Sequence, residues 1–76
     1  MKKIIILGAG GNSKVIIDTI LARSLKDEKL EIIGILDDDE SKEDLCGYPN
    51  LGRISCIKKL GEDPELFFVN GIGSNV

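Results

Sequence analysis

Three short runs of consecutive apolar residues set the frame of this chain. Ile4-Ile5-Ile6-Leu7, Ile32-Ile33-Gly34-Ile35-Leu36 and Leu66-Phe67-Phe68-Val69 are rich in β-branched and aromatic residues and do not alternate with polar ones. Such runs predict parallel strands covered on both faces, because a wet face would place a polar residue at every second position. Between the first two runs the period changes. Ile17, Ile20, Leu21 and Leu25 recur at helical spacing, Val15 and Ile16 widen the stripe, and Lys14, Asp18 and Arg23 fall opposite. The spacing predicts a helix from Asn12 or Ser13 to about Arg23, with one of these two as N-cap. Strand, helix and strand within about 34 residues is the size of one right-handed βαβ unit.

The second half is less regular. Lys26 to Lys29 is a charged connection, and Ser41 to Gly52 reads as an irregular segment punctuated by Gly47-Tyr48-Pro49-Asn50 and Leu51-Gly52. Ile54 to Leu60 fits a short helix with Ile57 and Leu60 inward, and Gly61-Glu62-Asp63-Pro64 breaks it before the third strand. The predicted class is α/β: a small Rossmann-like three-layer domain, residues 1–76, with a parallel sheet of three to four strands. A strand entering a glycine-rich turn ordinarily feeds a helix, and the sequence stops about where that helix would begin. The chain is therefore expected to be a fragment of a longer protein.

Composition narrows the function classes. Of the 76 residues 42% are hydrophobic and 30% charged, which is ordinary for a globular domain and argues against disorder. Aromatics make up only 4%, so the core must be built from Ile, Leu and Val. A net charge of −3 without a basic cluster argues against nucleic acid or an acidic membrane surface as partner. Four apolar residues before the first glycine are too few for a secretory or membrane segment. With Cys46 and Cys56 lacking a CxxC spacing, a reduced cytoplasmic protein with free thiols and no metal site is expected. Histidine is absent, which removes the commonest general base and the Ser-His and Cys-His pairs. No catalytic residue is assigned within the chain.

The candidate chemistry lies where strands end. Gly8-Ala9-Gly10-Gly11-Asn12-Ser13 links the first strand to the first helix, and such a turn offers backbone N–H groups to an anion. It meets two of the three glycine positions of the dinucleotide fingerprint, Gly8 and Gly10, with Ser13 at the third. Lys14, in the first helical turn, suits a phosphate or plain solvation equally. Asp37, at the tip of the second strand, is placed to accept bonds from two ribose hydroxyls, with Asp38 beside it. Asp39 and Glu40 read as a solvated loop. Asn70, Gly71, Gly73, Ser74 and Asn75 follow the third strand and reach the same sheet edge, either as sugar or phosphate contacts or as the entry to a helix.

Five of these stretches in order resemble the amino-terminal domain of the PglD/NeuD-type sugar O- and N-acyltransferases. They are Ile4 to Val15, Asp18-Thr19-Ile20-Leu21, Ile33 to Asp38, Gly47-Tyr48-Pro49 with Leu51-Gly52, and Phe67 to Ser74, together spanning essentially the whole chain. The resemblance implies a substrate-binding Rossmann-like domain for a nucleotide sugar or acidic sugar. It is followed in that family by a trimeric left-handed β-helix that binds acetyl-CoA and carries the catalytic histidine. Neither cofactor nor catalytic residue is then expected in these residues. By motif position, Gly10, Gly11, Asn12 and Ser13 would cradle phosphates or sugar, and Gly8 before them is counted with the same site. Asp37 and Asp38 would hold the nucleoside, and Gly71, Gly73, Ser74 and Asn75 would close the far side. The family usually reads Gly-His-Gly where this chain has Gly11-Asn12-Ser13. Two rivals remain, a nicotinamide-dinucleotide domain of an oxidoreductase and a non-catalytic ligand-sensing Rossmann module.

Overall fold

The computed structural model describes residues 2–24 and 29–72. Three parallel strands form the sheet: β1 (Lys2–Leu7) in the middle, β2 (Leu30–Leu36) on one side and β5 (Leu66–Asn70) on the other. Helix α1 (Gly11–Ser24) connects β1 to β2. This is the expected βαβ unit, and the domain is a small Rossmann-like α/β fold.

Pleating sends alternate residues of each strand to opposite faces. Ile4 and Ile6 pair in register with Phe67 and Val69 on one side and with Ile32 and Ile35 on the other. On that face they join Ile17, Ile20 and Ala9 in one buried cluster. Ile5 and Phe68 take the opposite face, toward which a 3-10 turn (Ile54–Cys56) and helix α2 (Ile57–Leu60) run. A Cβ on Gly61, just past α2, would lie 3.9 Å from the Phe68 ring. Ile5 is wholly enclosed between the layers. One extra residue, Ile33, is accommodated in β2 as a bulge, since Ile4 pairs with Ile32 but Ile5 with Gly34.

Four expectations need correction. The apolar stripe of α1 is narrower than the sequence pattern: Ser13, Ile17 and Ile20 are buried, while Val15 is 64% and Leu21 43% exposed. At about 100° per residue, Val15 sits roughly opposite the Ile17–Ile20 line and Leu21 falls at its margin, so a single sheet face cannot reach either. Second, α1 begins at Gly11. Neither Asn12 nor Ser13 is therefore its N-cap. Third, the irregular segment contains an antiparallel hairpin of β3 (Asp44–Leu45) and β4 (Tyr48–Pro49). Leu45 is buried against the core, and the chain after β4 returns along β2, with Leu51 N–H donating to Ile35 O at 2.8 Å. Gly34 is required there, because a Cβ would lie 2.8 Å from the Pro49 carbonyl oxygen. Fourth, β5 is not fully buried: Phe67 is 45% exposed, and among the described strands only β1 pairs with it. The position of Leu25 lies outside the described residues.

Candidate functional site

The carboxyl ends of the three strands converge on three short segments, Gly8–Gly10 after β1, Asp37–Glu40 after β2 and Gly71–Ile72 after β5. With β1 central, its connection to β2 leaves in one direction while β5 lies in the other. The crevice at the β1–β5 tips is therefore the topological switch point, where open α/β sheets bind ligands. The segments are tied together through their backbones. Gly8 N–H donates to Leu36 O at 2.7 Å, and Gly71 N–H to Leu7 O at 2.9 Å. Gly8 has φ +98°, a left-handed conformation that suits glycine, and a Cβ there would meet Ile72 Cγ1 at 3.2 Å.

From this anchored turn the start of α1 projects into solvent. Gly10, Gly11 and Asn12 are exposed, and a Cβ on either glycine would find no neighbour within 4 Å. Ser13 N–H donates to Gly10 O at 3.1 Å. The N–H groups of Gly10, Gly11 and Asn12 have no backbone acceptor outside the helix among the described residues. The first helical turn has none to offer inside it. That turn itself carries no acidic side chain, so nothing within α1 offsets the positive end of its dipole.

Asp37 is integral to the same structure. One carboxylate oxygen, Oδ2, accepts from Ala9 N–H at 2.8 Å and the other, Oδ1, from Asp39 N–H at 2.8 Å. Each oxygen keeps a second lone pair for a ligand hydroxyl. Asp38 is occupied differently: its Oδ1 accepts from Ile54 N–H at 2.9 Å and so fixes the entry to the 3-10 turn. Asp39 lies in the exposed loop and accepts from the Ser41 hydroxyl at 2.6 Å and the Ser41 N–H at 3.0 Å. These two bonds hold its carboxyl below the usual aspartate range.

Ser13 is the expected contact that the fold places elsewhere. Its side chain is wholly buried, and its hydroxyl donates to Gly8 O at 2.8 Å with Gly71 O 3.4 Å away. The hydroxyl thus serves packing between α1 and the strand tips and is not on the open surface of the turn. Gly71 is buried beside it, whereas Gly73, Ser74 and Asn75 lie outside the described residues. Lys14 is exposed on α1.

Sequence reasoning missed Asn50. Its Oδ1 accepts from Gly52 N–H at 3.0 Å and Asp37 N–H at 3.3 Å, and its Nδ2 donates to Lys42 O at 2.8 Å and Asp37 O at 3.3 Å. One amide thereby holds the loop carrying Asp37 against the returning hairpin strand. The bond to Gly52, two residues on, is an Asx turn, and Asn50-Leu51-Gly52 was its signal in the sequence. Beside it opens a polar recess of about 430 Å³ lined by Asp37, Lys42, Glu43, Asn50, Gly52 and Arg53. Arg53 pairs with Glu40 at 3.2 Å on its exposed rim, a surface ion pair of small energetic weight.

Among the described residues no group of three His, Cys, Asp or Glu side chains is placed to hold a metal ion, and no helix is long and apolar enough to cross a membrane. The family described as "PglD N-terminal domain" matches residues 3–76. No curated protein and no solved structure gives a significant match.

Proposed function

The chain belongs to the PglD N-terminal domain family, and from that premise we propose that it binds a nucleotide-activated sugar for an acetyl-CoA-dependent sugar acetyltransferase. The observation that carries this reading is the open start of α1 at the β1–β5 switch point. There, exposed Gly10, Gly11 and Asn12 present N–H groups to an anion with no Cβ in the way. The diphosphate sits at these donors. The nucleoside extends toward Asp37, whose remaining lone pairs accept from the ribose diol, and the polar recess beside Asn50 takes the base. The sugar lies on the Gly71 side. Acetyl-CoA and the group that activates the acceptor atom are supplied outside these residues, in a β-helix that brings three copies together. The domain thus positions a substrate for chemistry done elsewhere.

A dinucleotide remains the rival that binding must separate. Ser13 replaces the third fingerprint glycine, yet α1 still packs closely because Gly71 has no side chain. The serine therefore does not by itself bar a dinucleotide. Calorimetric titration with UDP-sugars, CMP-sialic acid and NADH decides between them. Saturable binding of a nucleotide sugar with NADH silent supports the reading. Tight NADH binding with no response to any nucleotide sugar overturns it.

A further inference from the structure

The face of the sheet that carries α1 is only partly covered by it. The helix packs on β2, and its Ile17 and Ile20 join Ile4 and Ile6 of β1 in the buried cluster, while β5 at the other edge leaves Phe67 45% exposed and Val69 half-buried. Ile4, Ile16, Ile20, Leu30, Phe67 and Val69 make the apolar wall and floor of an open groove of about 420 Å³ between α1 and the β5 edge.

Its charges gather at one end. Lys2 begins β1, and Arg23 lies in the last turn of α1, which runs back against β1. Both therefore sit at the amino edge of the sheet, opposite the glycine turn. Lys2 Nζ stands 5.4 Å from the centre of the Phe67 ring, over the mouth of the groove. Among the described residues neither cation has a carboxylate within 4.0 Å, the one ion pair being Arg53–Glu40.

Dimensions select the shape of the occupant. Three strands about 4.8 Å apart form a layer roughly 14 Å wide, more than one helix about 10 Å across can cover. A second helix seated beside α1 at an interaxial distance of about 8–10 Å comes to rest over β1 and β5. An added strand would instead extend the sheet beyond β5 and leave the groove open.

We propose that this groove is the docking site of an amphipathic α-helix, whose apolar stripe fills it and whose acidic side chains rest over Lys2 and Arg23. Burial of the stripe supplies the attraction, and the two cations supply the preference for an acidic end. The site lies at the other end of the sheet from the proposed nucleotide-sugar site and does not depend on it.

The test uses the whole chain, labelled with 15N, and two synthetic 14-residue peptides. Both carry leucines at helical spacing on one face, one ending in three glutamates and the other in three lysines. The acid-ended peptide is expected to saturate shifts at the Ile4, Ile20 and Phe67 amides and to gain helicity on binding. It should bind at least fivefold more tightly than its lysine-ended twin. The Lys2→Glu/Arg23→Glu double variant, checked for an unchanged melting profile, should reverse that order. The proposal is overturned if neither peptide saturates, or if the native chain binds both equally. It is also overturned if decyl phosphate saturates the same amides while the peptides do not, or if the chain buries the groove by dimerising and excludes both peptides.

Discussion

The Ser13 hydroxyl and the Gly71 backbone occupy adjoining space: the hydroxyl lies 3.4 Å from Gly71 O, and a Cβ built on Gly71 would collide with it. That Cβ would also lie 3.0 Å from Leu7 O and 3.1 Å from Ile6 Cγ2. In the dinucleotide fingerprint a glycine on the helix permits close approach to the sheet. Here the helix carries a serine, and the glycine that yields room stands on the loop after β5.

Gly71→Ala should therefore destabilise the domain by about 1–3 kcal/mol, the usual cost of forcing a methyl group into filled space. Leu7 O is backbone and cannot move aside as a side chain would. In a Ser13→Gly background the same substitution should cost less, with a coupling of about 0.5–3 kcal/mol as expected for residues in contact. Urea unfolding of the four proteins measures it. Strict additivity would show that Ser13 and Gly71 do not share this space energetically.

Much of this arrangement was legible in the sequence, for identifiable reasons. Runs such as Ile4–Leu7 and Ile32–Leu36 can be little other than covered strands, and the glycines behind the first fix its turn. The hairpin of β3 and β4 was not legible, because two-residue strands carry no periodicity and Leu45 is a lone apolar residue amid charges. The exposure of Phe67 was hidden for the opposite reason: an edge strand and a central strand have the same apolar spelling when a partner can cover them. Ser13 was read from its position in a motif, but its role is set by Gly71, 58 residues away in the chain.

Cys46 is the one non-glycine residue with positive φ among the described residues, at 53°, and it precedes Gly47 at 88° in the turn between β3 and β4. Two-residue hairpin turns with both central residues left-handed favour Asn-Gly. Cys46→Asn should raise stability by several tenths to about 1 kcal/mol. Thermal melts under reducing conditions test this, and a lower melting temperature would count against the turn as described.

The Asp39 carboxyl is held low by its bonds from the Ser41 hydroxyl and N–H. A carboxylate with a depressed folded-state value contributes stability that is fully present above its unfolded value. That contribution is lost as pH falls through the folded value. The Asp39–Ser41 turn should accordingly keep its two bonds through mild acid and lose them only below the ordinary aspartate range. Ser41→Ala removes the largest cause, so Asp39 should titrate closer to the ordinary value. An NMR pH titration of the Asp39 side chain reads this directly; an unchanged midpoint would assign the shift elsewhere.

Gly11 separates the turn's use from its stability. No atom lies within 4 Å of a Cβ placed there, and its φ is not left-handed. Gly11→Val should change unfolding free energy by no more than about 1 kcal/mol, within the range of helix propensities. It should nonetheless abolish binding of UDP-sugars, since a branched side chain then stands over the first-turn N–H groups. Unchanged affinity would mean that the glycines serve only the turn.

Asp37 joins stability and recognition in one carboxylate, and two substitutions pull them apart. Asp37→Ala deprives the Ala9 and Asp39 N–H groups of a charged acceptor and should cost about 1.5–3 kcal/mol, the range for hydrogen bonds to ionised groups. Asp37→Asn keeps one acceptor oxygen and should lose appreciably less stability. Its amide would nevertheless turn two donor hydrogens toward a ribose diol that the carboxylate could accept from on both sides. The asparagine variant should then stay folded and bind UDP-sugars at least fivefold more weakly. Affinity retained in Asp37→Asn alongside a stability loss in Asp37→Ala would confine Asp37 to holding the glycine turn in place.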